Sequence, residues 1–274
     1  DAELNQLGYG QEYQVKYTLE PVDATASLLT WTSDNPEVIS VDKTGKLKVH
    51  TTKAASAVIT ASYGPVVQNV TVTVADGRFW YSLGNGLGNG LDNNWYLDGN
   101  NASVVSSDGN KTTVQMGSGY RGDLWLARSG KGKIVNVTPA DYRYFAIKVG
   151  FKSQLVPGKN KPNGCIKLEI FDDGIKKIGP EYFGTGGDAN NRYEILGASE
   201  ISTTEPNVLY YDLQSKYKTV TPTDWNQVFD LVQCKFVIAD FPETAQTYDL
   251  YWIRSFKSIE ELQAFVDSEN NTNE

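Results

Sequence analysis

Apolar and polar residues alternate with a period of two along most of this 274-residue chain, and turn formers cut the alternation into short pieces. Such a pattern admits strands with one buried face and little else. In "EYQVKYTLE" the apolar set is Tyr13, Val15, Tyr17 and Leu19, and in "LTW" it is Leu29 and Trp31. "VISV" offers Ile39 and Val41, and "KLKV" offers Leu47 and Val49. "SAVITASY" continues through Ala57, Ile59 and Ala61, and "NVTVTV" through Val70, Val72 and Val74. Glu20-Pro21, Asp34-Asn35-Pro36, Asp42 to Gly45 and Gly64-Pro65 mark the turns between them.

About seven short strands ahead of Ala75 predict a small Ig-like β-sandwich. The order of the motifs adds a resemblance. "LEPVDATASLLTWTSDNPEVISVDKTGKLKV" followed by "AVITASYGPVVQNVTVTV" resembles the bacterial Ig-like domain, group 2. That family has a Pro after the first strand, a W-x-S-x-x-P-x-V core, a V-D-x-x-G-x-L/V hairpin and a closing V-T-V-x-V. Pro21, Trp31, Ser33, Pro36, Val38, Val41, Asp42, Gly45, Leu47 and Val74 fill those places. "KAASA" stands where the family has a glycine before its A-x-I-T-A strand, a change that alters a turn and not the fold. The resemblance implies a spacer or adhesin module over residues 1–76.

Past "ADG" (Ala75–Gly77), which reads as a short hinge, aromatics and glycine become commoner and a second domain, 77–274, begins. Its strand-like runs include "WYLDG", "ASVVSS", "KTTVQM", "DLWLAR", "YFAIKVGF", "CIKLEIF", "VLYYDL", "CKFVIADF" and "YDLYWIRSF". "FAIKVGF" and "KFVIADF" are the most continuously apolar and belong in mid-sheet, and Asp173-Gly174 reads as a tight hairpin. Helix signal is confined to "SIEELQAFV". There Ser258 can cap, Glu261 can reach back, and Ile259, Leu262 and Val266 share one face, with a polar tail following. The expected fold is all-β: a small Ig-like sandwich, then a larger jelly-roll-like β-sandwich with a short C-terminal helix.

The end of the chain carries a second resemblance. "VLYYDL", "CKFVIADF" and "YDLYWIRSFKSIEELQAFV" are similar to the C-terminal domain of surface glycan-binding lipoproteins from Bacteroidetes polysaccharide-utilisation loci. "YFAIKVGF" matches that family's central strand. Its W-I-R-S/T-F-x-S-x-E-E/D-L ending is carried here by Trp252, Ile253, Arg254, Phe256, Ser258, Glu260 and Leu262. The resemblance implies a non-catalytic protein, lipid-anchored at the outer membrane and facing outward. It would capture a polysaccharide or oligosaccharide beside outer-membrane glycan-uptake proteins. Neither a leader nor a run of about 20 apolar residues is legible. The sequence therefore reads as a mature or trimmed form, with any lipid anchor before Asp1.

Composition removes other classes. A net charge of −8 disfavours nucleic acid as a partner. "GNGLGNGL" lacks the G-x-G-x-x-G order and a following helix, so it is no phosphate cradle. The tripeptide Arg121–Asp123, "RGD", reads as a chance match in a Gly-rich loop. His50 is the single histidine and ends the Leu47–Val49 strand. It reads as a polar strand-end residue, which disfavours a nucleophile triad and metal catalysis, while a structural Ca²⁺ held by Asp and backbone oxygens stays open although no Ca-loop motif is present. The E-x-D-x-E motif of β-sandwich glycosidases is absent, and in "LEIFDD" Glu169 is separated from the turn at Asp172-Asp173. No catalytic residue, cofactor or metal is expected. Cys165 and Cys234 are expected as two buried thiols ahead of a disulfide, and the chain as a monomer.

Residue types suit sugar best. A pyranose presents an apolar face that aromatic rings can cover and a rim of hydroxyls that Asn, Asp, Arg and Gln can bond. Aromatics flanked by turn formers are the candidates: Trp95 after "LDNN", Tyr120 with Arg121 in "GSGYRGD", Tyr182 in "GPEYFGTGG" and Trp225 in "TPTDWNQ". Arg192 in "DANNRYE" is a candidate hydroxyl donor. Trp80, Trp252, Tyr144, Tyr210 and Tyr211 lie in apolar runs and are expected to pack, while Trp125 could serve either end. Two rival readings are an adhesin or structural surface protein that binds protein partners, and a β-sandwich glycosidase.

Overall fold

The structure is a computed structural model. It describes residues 2–21, 23–88, 95–98, 102–117, 122–127, 135–155, 167–172, 193–214, 225–238 and 246–271. The chain divides into two compact units, Asp1–Tyr81 and Ser82–Glu274.

The first unit contains β1 (Leu7–Tyr9), β2 (Glu12–Gln14), β3 (Thr30–Ser33), β4 (Ile39–Val41), β5 (Lys46–Val49), β6 (Ala55–Tyr63) and β7 (Val66–Ser82). One sheet runs β3-β6-β7-β1, with β1 parallel to β7, and the other runs β2-β5-β4. Leu7, Ile39, Leu47, Val49, Ala57, Ile59, Val72 and Val74 form the sealed core. All but Leu7 are residues that the alternation assigns to inner faces. The β4–β5 hairpin requires Gly45, whose φ is 82°. A Cβ there would lie 2.8 Å from the Trp31 ring. Asp42 braces the same turn, its carboxylate accepting the Thr44 and Lys46 N–H groups at 2.8 and 3.0 Å.

Two local expectations fail in this unit. The strand around Tyr13 stops at Gln14, so Tyr17 leaves the inner face and sits exposed, its ring 5.5 Å from that of Trp31. Ala75–Gly77 is not a hinge but the middle of β7. Opposite it Leu7 pairs with Val74 and Tyr9 with Phe79. Gly77, at φ 66°, takes up the extra residues and donates its N–H to the Thr52 carbonyl at 2.9 Å.

The second unit holds β8 (Tyr96–Asp98), β9 (Ser103–Ser107), β10 (Thr112–Gln115), β11 (Gly122–Ala127), β12 (Val135–Val137) and β13 (Tyr144–Phe151). They are followed by β14 (Lys167–Asp172), β15 (Glu194–Ile195), β16 (Asn207–Asp212), β17 (Phe229–Ile238), β18 (Thr247–Phe256) and α1 (Ile259–Asn271). One sheet has the order β15-β16-β13-β18-β10-β9. In the other, β17 lies between β14 and the pair β11 and β12, with β8 beyond β11. The two most apolar runs, β13 and β17, therefore each have neighbours on both sides, as their composition requires. The fold is all-β with one short terminal helix.

Phe236 on β17 joins the two sheets. Its ring lies 5.6 Å from Phe145 on β13, 5.8 Å from Tyr211 on β16 and 5.7 Å from Trp95, and all four are sealed. Cys234, two residues away, is a buried free thiol whose ionisation burial pushes up. Cys165 and the Asp173-Gly174 turn lie outside the described residues. No helix among the described residues is long and apolar enough to cross a membrane.

Helix α1 starts as its sequence dictates. Ser258 Oγ accepts the Glu261 N–H at 3.2 Å, and the Glu261 carboxylate accepts the Lys257 N–H at 2.6 Å, one residue further back than in a standard capping box. Leu262 is sealed, and Phe265 lies 5.6 Å from Trp252 and 5.7 Å from Phe256. The helix does not stop at Val266. It continues through the supposed polar tail to Asn271, where Glu269 is bonded to the sheet beneath.

Truncating Phe236 to Ala is expected to destabilise the second unit by about 3–5 kcal/mol, because three aromatic neighbours lose their common partner. Denaturant unfolding followed by tryptophan emission measures the loss.

Candidate functional site

The outward face of the β13–β18 pair carries the site, and an irregularity in β18 creates it. Lys148 pairs with Trp252, but the next residue, Val149, pairs with Leu250, so Tyr251 is an extra residue. Strand periodicity then places Asp249, Tyr251, Trp252, Arg254 and Phe256 on the outward side together. Trp252 and Phe256 are covered by α1, through Phe265. Tyr251 instead faces an open groove of about 700 Å³.

Val208, Lys148 and Tyr251 supply the floor of that groove, on β16, β13 and β18. The C-terminal turns of α1 form one wall through Val266, Glu269 and Asn270, while Glu205-Pro206 and Asn110 complete the rim. Each wall is held by specific bonds. Glu269 accepts from Lys148 Nζ and from Trp252 Nε1, both at 3.1 Å, and Arg254 Nη1 lies 3.9 Å from its other oxygen. Asn207 fixes the Glu205 loop, accepting the Ser202 N–H at 2.8 Å and donating to the Ser202 carbonyl at 2.9 Å. Asn110 rides on a turn in which Asp108 accepts the Asn110 and Lys111 N–H groups, both at 2.9 Å.

Charge is concentrated beside Tyr251. The Asp249 side chain, 2% exposed, accepts from Lys111 Nζ at 2.8 Å, Lys152 Nζ at 2.9 Å and Thr113 Oγ1 at 2.7 Å. Burial alone would raise this carboxyl, but the three hydrogen bonds and the Lys152 charge win and hold it below the usual carboxylate range. The bond to Asp249 in turn raises the Lys111 ammonium. Tyr251 is pushed up, chiefly by burial, so its phenol stays a neutral donor and acceptor. Lys148 Nζ stands 5.6 Å from the Tyr251 ring centroid.

The residues singled out in the sequence fare differently. Trp95 is not a platform: it is 0% exposed and its ring is packed on sealed Phe236, so the core claims it. Trp125 is also closed off, 7% exposed with Lys235 Nζ 4.4 Å over its ring and Lys235 ion-paired to Asp123 at 2.9 Å. Trp225 is half-buried in a turn, its ring 6.5 Å from Phe229, and does not line the groove. Tyr120, Arg121, Tyr182 and Arg192 lie outside the described residues. Trp252 and Tyr211 pack as expected, and Tyr144 and Tyr210 meet edge to face at 6.1 Å. His50 bonds the Ser40 hydroxyl at 2.7 Å in the first unit. Among the described residues no three His, Cys, Asp or Glu side chains gather as a metal-binding group.

Tyr251, Lys148 and Glu269 were not legible as site residues. Strict alternation hides a bulge, and a helix drawn to Val266 leaves Glu269 in a tail.

Taken together, the fold and site define an all-β protein whose larger sandwich carries an open polar groove with the Tyr251 ring on its floor. Residues 86–262 match the family described as Domain of unknown function (DUF4979), and the chain belongs to that family. No curated protein matches the chain. A solved chain containing the CBM51-2 and INT domains of Clostridium perfringens ZmpB is similar over 92% of this chain and 46% of its own length, at 10% identity and a TM-score of 0.23. A likeness at that score says nothing of this groove.

Replacing Asp249 with Asn is expected to cost about 1–3 kcal/mol at neutral pH, since hydrogen bonds to a charged, buried carboxylate are lost. The carboxyl's lowered pKa sets the window: its contribution is complete above the unfolded value of about 3.9 and disappears as pH falls through the folded one. Melting curves of the two proteins should therefore converge on acidification.

Proposed function

We propose that this chain is a non-catalytic, surface-displayed glycan-binding protein whose groove around Tyr251 holds a short stretch of polysaccharide. One observation carries the reading: an aromatic ring on a rigid sheet, ringed within one groove by Lys148, Glu269, Asn110 and Asn270. The ring offers a flat apolar surface to a pyranose face, and the surrounding groups offer donors and acceptors to its hydroxyls. The volume, about 700 Å³, falls in the range of small-ligand sites.

Binding rather than hydrolysis is favoured by the state of the carboxylates. A glycosidase needs one carboxyl kept protonated near neutral pH as a general acid. Asp249 is shifted the other way, and Glu269 is bonded to a lysine and an indole N–H. An open site exchanges hydrogen bonds with water, so affinity for one site is expected to be on the order of micromolar to millimolar. Many such sites displayed together on one surface would hold a polymer firmly. Outer-membrane display, a lipid anchor and a partnership with glycan-uptake proteins belong to the same proposal. They are supported by the resemblance of the Trp252–Leu262 ending to surface glycan-binding lipoproteins, and the first unit would serve as their spacer.

Electrophoresis through gels containing a panel of polysaccharides, followed by calorimetry on the ligand found, tests the reading. Tyr251→Ala should weaken binding by about tenfold or more, the worth of covering an aromatic face, while leaving the melting temperature nearly unchanged. Unaltered affinity in that variant would overturn it.

A further inference from the structure

We infer that the groove selects uncharged glycans and rejects uronate- or sulfate-bearing ones. The inference rests on the glycan reading above and names its ligand class. Its basis is that the cations around the groove already have protein counter-ions. Lys148 is paired with Glu269 at 3.1 Å, while Lys111 and Lys152 share Asp249 at 2.8 and 2.9 Å. Arg254 lies 3.9 Å from Glu269 with its guanidinium 4.3 Å from the Phe265 ring centroid. Two more carboxylates stand at the edge, Glu205 on the rim and Asp108 under Asn110. Among the described residues four cations are thus held by two carboxylates with two more nearby, in a chain whose net charge is −8.

The chemistry of the ligand groups follows from that arrangement. A sugar hydroxyl both donates and accepts, so it can accept a hydrogen bond from the Lys148 ammonium and donate one to the adjacent Glu269 carboxylate without breaking the pair. Asn110, Asn270 and the neutral Tyr251 phenol have the same dual character. A uronate or sulfate only accepts. It can still reach a spare N–H of an ion-paired lysine, but it cannot donate to Glu269 in return, and it meets the like charges of Glu269, Asp249, Glu205 and Asp108 with every one of these lysines already ion-paired. The ion pairs act as fixed dipoles for hydroxyls, not as a receptor for anions.

The experiment compares neutral polysaccharides (galactomannan, xyloglucan, a β-glucan, starch) with acidic ones (polygalacturonate, a sulfated glycosaminoglycan) in affinity gels at low and moderate salt. Retention by a neutral polymer is expected, changing less than about twofold as the Debye length falls from about 30 to about 8 Å. Glu205→Lys, on the exposed rim, should create retention by polygalacturonate that collapses with salt, and Glu269→Gln, if it keeps its melting temperature, should do the same. Wild-type protein held best by an acidic polymer, and released more than about tenfold by salt, would overturn the selectivity while leaving the groove a glycan site. Retention by none of the polymers would overturn the glycan reading and this inference with it.

Discussion

The pairing of β18 with β13 is the contact on which the larger unit depends. Leu250, Ile253 and Ser255 of β18 are sealed on the inner side, while the extra residue at Tyr251 turns two consecutive aromatics outward. One of the pair, Trp252, goes beneath α1, and the other, Tyr251, becomes groove floor. Without the bulge, alternation would send one of these rings into the core. A single irregularity therefore provides both the seat of the helix and the platform beside it.

Glu269 links those two consequences. Its carboxylate lies where Lys148, Trp252 and Arg254 converge, so docking of the last helical turns and shaping of the groove wall are one event. At the other end Asp249 gathers two lysines and a threonine within one strand of Tyr251. Both clusters are bonded to strands that are themselves paired on either side, and the rim turns at Asp108 and Asn207 are braced by their own side chains. A site braced in this way would lose little freedom on binding the proposed ligand, which matters where each hydrogen bond is won against water.

Much of the architecture could be read from residues alone. Period-two runs separated by Pro, Gly and Asn gave the strands, and the most continuously apolar runs, at Phe145–Phe151 and Phe236–Ile238, gave their central positions. The helix start followed from Ser258 and Glu261. What escaped were features decided by tertiary contact. Trp95 follows a string of turn formers, yet Phe236 draws it inside. Ala75–Gly77 resembles a linker in composition, yet β7 runs through it, paired with β1 on either side at Val74 and Phe79. Glu269 has no apolar periodicity to mark it, because its place is fixed by an ion pair and an indole N–H rather than by burial of its own surface.

Hydrogen exchange of the backbone, read by mass spectrometry with and without a retained polysaccharide, tests the central claim most directly. A ligand seated on Tyr251 should slow exchange in β13, in β18 from Thr247 to Phe256 and in the last turns of α1. Protection confined to the first unit, or to the strands around Trp125, with β18 and α1 unchanged, would contradict it.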